Sequence, residues 1–399
     1  MAEHDIVIIV LYFYYGVKIN IKLVNVIMTT ALKGLKVLDF STLLPGPFAT
    51  LYLADLGAEV IHVESPTRPD LIRLLPPYAN GQATAHSYLN RNKQSITLDL
   101  KAPDSIELIK QKISEYDIVV EQFRPGVMQR LGLDYQTLAE INPKLIYCSI
   151  TGYGQTGTYK NKAGHDINYM ALSGIAGHSG RQDSGPPPMG VQIADVAGGS
   201  LHAVIGILSA VIERANSGLG QYIDISMTDC VVTLNNMAAS ASLAGGQKQQ
   251  PEREHLNGGT FYDYYQTQDG RYLSVGSLEP QFMSGLATAL ELPILLEKGV
   301  SFDAADRQQV KQALAEKIKT QSLAEWQKVF ANLDVCVEPV LTLDEALASP
   351  LAKQRQWLVE VPLHSDSDQS ELQLACPIKF SRSKAKYQYI GQPLGAGKW

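Results

Sequence analysis

The sequence predicts an α/β protein, a Rossmann-like large domain with a parallel sheet followed by a smaller α+β domain. Two observations carry this. In the first half, short apolar β-branched runs alternate with helix-length segments, the pattern of parallel strands joined by crossover helices. Beyond a polar stretch at 245–259 the pattern changes to a hairpin signal and mostly helical segments.

The elements follow in order. Leu35-Lys36-Val37-Leu38-Asp39-Phe40 reads as a short buried strand, and Leu43-Leu44-Pro45-Gly46-Pro47 as a turn. Phe48 to Leu56 has helical apolar spacing and ends at Gly57, a C-cap residue, before the strand Ala58–Glu64. Strand, turn, helix and strand make a βαβ unit with a right-handed crossover. Further strands are expected at Ser95–Leu100, Tyr116–Glu121, Leu145–Thr151 and Gln221–Ser226. Helices are expected at Asp104–Ser114, capped by Asp104, at Gly198–Asn216 and at Met227–Ala244. A Gln268-Asp269-Gly270 turn between two aromatic runs predicts a hairpin. The implied division is an extension outside the fold at 1–27, a large domain at 28–245 and a small domain with its linker at 246–335. A C-terminal segment, 336–399, returns to the large domain.

Composition narrows the function. A net charge of −6 argues against a nucleic-acid partner, whose backbone calls for a basic surface, but leaves room for a local basic pocket. Cys148, Cys230, Cys336 and Cys376 are scattered without metal spacing, as buried free thiols in a reducing, cytoplasmic compartment would be. No metal site is expected. The apolar run Ile6–Val17 is shorter than the ~20 residues a membrane span requires, and no basic region precedes it. Neither stable membrane insertion nor a signal peptide is therefore expected. The first strand is not followed by GxGxxG, and no Walker A motif occurs, which weighs against nicotinamide and nucleoside-triphosphate chemistry.

The candidate chemistry centres on 164–199. His165 and Asp195 each stand at the mouth of a helix, separated by a Gly/Pro-rich loop. A His and a carboxylate facing one small volume suit proton removal and return at a single carbon. For each residue a plainer reading stands beside this one, Asp195 as an N-cap and His165 as a surface or core histidine, with Asp166 capping its helix. Arg68, Arg91, Lys93 and Arg124 are candidates for neutralising phosphates, or else solvated surface charges. Arg124 follows a strand, where open parallel sheets bind their ligands. The glycine-rich run at Gly152–Gly157, containing Gly154, reads as an active-site loop or a phosphate cradle.

Several long, ordered runs carry a resemblance. They are GLKVLDFSTLLPGPFATLYLADLGAEVIHVE (34–64), LNRNKQSITLDLK (89–101), FRPGVMQRLGLDY (123–135), ITGYGQTG (150–157), GHDINYMALSG (164–174) and GSLEPQF (276–282). The chain from Leu32 to Lys379 resembles the family III CoA-transferases (the CaiB/BaiF group), and within them the α-methylacyl-CoA racemase branch. The resemblance implies an interlocked homodimer acting on acyl-CoA, with coenzyme A as part of the substrate and no other cofactor. It further implies His165 and Asp195 as two bases, Glu279 as the carboxylate associated with His165, and Arg124, Arg91 and Lys93 near the CoA nucleotide. Transferase members use the Asp matching Asp195 as an acyl-carrying nucleophile and generally lack the histidine. A transferase is thus the alternative expectation, and a non-catalytic acyl-CoA-binding protein a third.

Overall fold

The structure, a computed structural model, describes residues 6–9, 23–26 and 30–399. Within the expected extension, strands Ile6–Ile9 and Leu23–Val26 pair antiparallel as a two-stranded sheet of their own. The remainder of that extension lies outside the described residues.

The chain divides into two compact units. The first comprises Met1–Ala163, Ala194–Cys230 and Lys353–Trp399, the second Gly164–Ile193 and Val231–Ala352. These boundaries differ from those expected. The 164–193 segment belongs to the second unit because Arg181 is locked there by Asp263 and Glu252, and because Asn257 donates to the carbonyl of His178. Residues 336–352 also stay in the second unit, where Val337–Pro339 completes its sheet, and the return to the first begins at Lys353.

The large sheet of the first unit has six strands: β1 (Lys36–Asp39), β2 (Glu59–Glu64), β3 (Lys93–Thr97), β4 (Ile118–Glu121), β5 (Ile146–Thr151) and β6 (Tyr222–Ser226). Every pairing is parallel, in the order β6-β5-β4-β1-β2-β3. That is the strand order of dinucleotide-binding sheets, with the topological switch between β1 and β4. Helix α1 (Pro45–Asp55) links β1 to β2, α2 (Pro103–Lys112) links β3 to β4, and α3 (Tyr135–Ile141) precedes β5. The strands read as nearly continuous apolar runs because both faces are covered, with Leu38, Val119 and Tyr147 packed against Ile109, Ile113 and Leu138.

Helix α1 starts earlier than the apolar spacing suggested, since Pro45 takes its first position with φ already helical. Gly57 ends it at φ +105°, and a Cβ there would fall 1.9 Å from Thr30 Oγ1, so only glycine fits. Asp104 is not the cap of α2, because Pro103 opens that helix and Asp104 lies in its first turn. The expected helix at Gly198 is instead an eight-residue π-helical segment, Ala194–Leu201, running into α4 (His202–Ser217). This 194–217 stretch has the length to cross a membrane, and an 18-residue window within it has a mean hydropathy of 1.6. One face of α4, carrying Ala203, Val204, Ile207 and Ala210, is buried, and the opposite face leaves Ile205 and Ile212 exposed.

The second unit contains the predicted hairpin, β7 (Asp263–Gln266) with β8 (Tyr272–Val275), extended by β9 (Val337–Pro339) into a three-stranded antiparallel sheet. Helices α5 (Pro280–Leu290), α6 (Ala304–Ile318) and α7 (Leu323–Phe330) cover it around Leu273, Leu286, Leu314 and Trp326. All four cysteines are free. Cys148 and Cys376 are buried as expected, whereas Cys336 is exposed.

Candidate active site

The carboxyl ends of β1 and β4 form the switch point, and the turn into α1 lies directly over it. Proline at 45 and 47 removes two of the amides that usually make a helix N-terminus attractive to anions. Of the others, Gly46 N–H donates to Gln122 Oε1 at 3.0 Å and Phe48 N–H to Leu44 O at 2.9 Å. The mouth of α1 therefore offers no free amide from Pro45 to Phe48 and acts as a fixed platform. A Cβ at residue 46 would lie 2.1 Å from Ser41 Cβ, so glycine is required for this close turn.

Beneath the platform lies a buried ionic network. The Asp39 carboxylate accepts from Ser41, from Thr50 Oγ1 at 2.5 Å, and lies 3.6 Å from Lys93 Nζ. Lys93 Nζ donates to the Pro47 carbonyl at 2.8 Å and to Asn90 Oδ1 at 3.0 Å. His62 stands between Asp39 (3.5 Å) and Glu64 (3.7 Å), and Glu64 binds Arg73 through both oxygens. Burial works to raise the Asp39 carboxyl, but Lys93, His62 and Ser41 together hold it well below the usual carboxylate range. Burial lowers Lys93 to about 8, with Asp39 opposing.

Two expectations are corrected here. Arg91 and Lys93 were expected near the CoA nucleotide, yet each is only 1% exposed. Arg91 makes a forked pair with Asp55 at 2.9 and 2.6 Å, donates to Leu374 O at 2.7 Å, and lies between the rings of Tyr88 and Tyr387. With their donors engaged inside the first unit, neither cation presents a free donor to a phosphate at the surface. Charge placed directly before a strand reads as a solvated loop in sequence, and only the opposing carboxylates turn it inward.

Arg68 and Arg124 are exposed. Arg124 lines a cavity of about 320 Å³ together with Glu121, Ser149, Gln155, Tyr135 and Tyr222. Burial pushes the Glu121 carboxyl up to about 7, against hydrogen bonds from Ser149 and the Phe123 N–H and with repulsion from Asp224 added. Glu121 was not among the expected site residues. The signal available was an acidic residue closing an otherwise apolar parallel strand, which Asp39 shares. Gly154 has φ +78°, and a Cβ added there would meet Ser226 Cβ at 3.4 Å and Asp224 Oδ2 at 3.6 Å. Its loop is tied down because Asp224 accepts from Gln155 N–H and Gly152 O accepts from Thr228 Oγ1.

Asp195 sits half-buried in the first turn of the π-helical segment, in the first unit. Insertions of this kind are frequent at functional sites. His165 and Glu279 lie in the second unit. His165 is itself the N-cap of the helix Asp166–Leu172, a position expected for Asp166, and its backbone N–H is held by Asn168 Oδ1 at 3.0 Å. Its side chain is exposed. Glu279 is the exposed N-cap of α5, with Pro280 following.

An open Rossmann-like sheet with a blocked α1 mouth defines an α/β protein of other than the glycine-fingerprint type, and comparison with known proteins supplies the family. The model of CoA-transferase family III matches residues 32–396, and the chain belongs to that family. It is 39% identical to α-methylacyl-CoA racemase of Mus musculus over 79% of each chain. It is 34% identical to succinyl-CoA:glutarate CoA-transferase of Homo sapiens, over 83% of this chain and 76% of the other. A CaiB/BaiF family protein from Brucella suis has the same fold, with a TM-score of 0.79 and 32% identity over 92% of this chain and 97% of its own. The family is one of enzymes, with racemases and transferases both among its members.

Proposed function

We propose that the protein interconverts the two configurations of 2-methylacyl-CoA thioesters, a racemase or epimerase working by 1,1-proton transfer. The observation that carries the reading is that one chain holds both an exposed His165 on a pinned helix N-cap and Asp195 in a π-helical turn. The greater identity to a racemase than to a transferase supports it.

In this reading one base takes the proton from Cα, and the electron pair of that C–H bond moves into the thioester carbonyl to give an enolate. The conjugate acid of the other base then returns a proton to the opposite face. One C–H bond breaks and one forms at the same carbon, so no oxidant, reductant or cofactor beyond the CoA of the substrate takes part. Backbone N–H donors at the enolate oxygen contribute ~3 kcal/mol each in sites of this kind. Glu279 orients His165. Arg68 and Arg124 hold the phosphates of CoA, and Gly154 lets its loop approach the ligand closely. Binding energy from CoA, remote from the reaction, fixes Cα between the bases. The working form is a homodimer in the cytoplasm.

A second reading is favoured by the similarity to the succinyl-CoA:glutarate CoA-transferase. There the Asp195 carboxylate attacks the thioester carbonyl and CoA leaves as its thiolate. The acceptor carboxylate then displaces the donor carboxylate from the mixed anhydride, and the CoA thiolate attacks the acceptor carbonyl of the new anhydride, forming the product thioester and freeing the Asp195 carboxylate. The deciding experiment incubates the protein with (S)-2-methylacyl-CoA in D2O and follows Cα deuterium and chirality by NMR. Exchange with loss of optical purity, absent in His165→Ala and Asp195→Ala, is the expected result. Transfer of CoA to an added carboxylate without exchange would replace it with the second reading.

A further inference from the structure

The π-helical segment that carries Asp195 does not rest on the sheet by apolar contact alone. A Cβ on Gly199 would come within 3.0 Å of Pro45 Cβ and 3.1 Å of Met227 Cγ, so the segment approaches the head of α1 as closely as glycine permits. At that contact the fully buried Ser200 hydroxyl donates to Pro45 O at 2.6 Å and also reaches Asp195 O at 3.1 Å. One hydroxyl thus spans the platform and the residue whose carboxylate the proposed reaction uses. The platform is held from beneath by Lys93 on the Pro47 carbonyl, and Asp39 binds both Lys93 and Thr50 of the same helix. Lone pairs of two proline carbonyls in one helical turn are therefore bound by side-chain donors from outside α1. Such donors do nothing for an ordinary first turn, whose carbonyls already accept within the helix. They do fix the position of whatever packs on that turn.

We infer that Ser200 is a positioning residue for Asp195, and that the buried Asp39–Lys93 pair, through Pro47 and the head of α1, sets the surface against which Ser200 registers it. The inference rests on the reading of Asp195 as one of the two bases, and it assigns Lys93 a part in the reaction without contact to the substrate. Its test must separate geometry from stability. A merely structural hydroxyl would lower the unfolding midpoint of Ser200→Ala and leave the turnover of the folded enzyme intact.

The measurement is the rate of Cα deuterium exchange on a 2-methylacyl-CoA as a function of substrate concentration, for the full-length protein and its variants. Ser200→Ala is expected to lose about tenfold or more in kcat with KM within about twofold, since displacements near 1 Å cost up to ~100-fold in rate. Lys93→Met is expected to show the same split. A kcat for Ser200→Ala within twofold of the parent, whatever its unfolding midpoint, would overturn the inference. Should Lys93→Met fail to fold, the serine variant decides alone. Parent exchange that is abolished in Asp195→Ala but intact in Ser200→Ala sinks this inference and leaves the proposed function standing. A parent without exchange, or an Asp195→Ala that retains it, removes both.

Discussion

The two units are built on opposite principles. The second has a core of aliphatic and aromatic side chains, Leu273, Leu286, Leu314 and Trp326 among them, and its main ion cluster, Arg181 with Asp263, Glu252 and Lys311, lies toward the surface. The first buries Asp39, His62, Glu64, Lys93, Asp55 and Arg91 at 3% exposure or less, with Asp39 and Glu64 closing β1 and β2, Lys93 opening β3 and Asp55 ending α1. Apolar packing holds an interior together without specifying polar positions. Buried ions are costly unless every partner is in place, so they tie the strand ends and the head of α1 to one arrangement. The unit that carries the parallel sheet is the one built in this demanding way.

The largest effect that would sharpen the contrast is removal of one partner from a buried pair. Asp55→Ala is expected to destabilise the first unit by about 3–5 kcal/mol, because Arg91 is left buried without its carboxylate. Asp55→Leu/Arg91→Met should recover most of that loss. Equilibrium urea unfolding of both variants checks this, and equal losses in the two would break the comparison. In the second unit Leu314→Ala is expected to cost about 2–5 kcal/mol through the cavity it leaves. That loss should be insensitive to pH and salt in the same unfolding experiment.

Glu121 gives a smaller, pH-dependent effect. Its folded-state carboxyl titrates near 7 and its unfolded one near 4.5, so the folded protein holds the extra proton between these values. The resulting stability is complete below about pH 4.5 and is lost as pH rises through 7. Glu121→Gln should therefore gain about 1–3 kcal/mol relative to the parent at pH 8 compared with pH 5. A constant difference between urea midpoints at the two pH values would contradict it. The smallest change is expected at Arg181, which is 42% exposed in its side chain. Arg181→Ala should cost about 1 kcal/mol or less and should lose most of that difference in high salt.

Local signals carried much of the fold. Alternating apolar runs located all six strands of the large sheet, although β3 starts at Lys93 rather than Ser95 because pairing with Val60 extends it backwards. The hairpin about Gly270 was equally legible, since glycine there supplies a left-handed turn at φ +76°. The unit boundaries were not. The 164–193 segment joins the second unit through Arg181, whose partners lie far along the chain, and no local pattern announces them.

For the site, the sequence by itself determined which residues carry reactive groups and which positions are turns. His165 before a helix, Asp195 before paired glycines, and Pro45-Gly46-Pro47 after a strand all follow from propensities acting within a few residues. Tertiary structure alone decided which charges face solvent and which face one another. Arg91 and Lys93 differ little from Arg68 and Arg124 when read locally. They are drawn inside because Asp55 on α1 and Asp39 on β1 wait there, and a buried charge is stable only where a distant segment brings its counter-charge and hydrogen bonds.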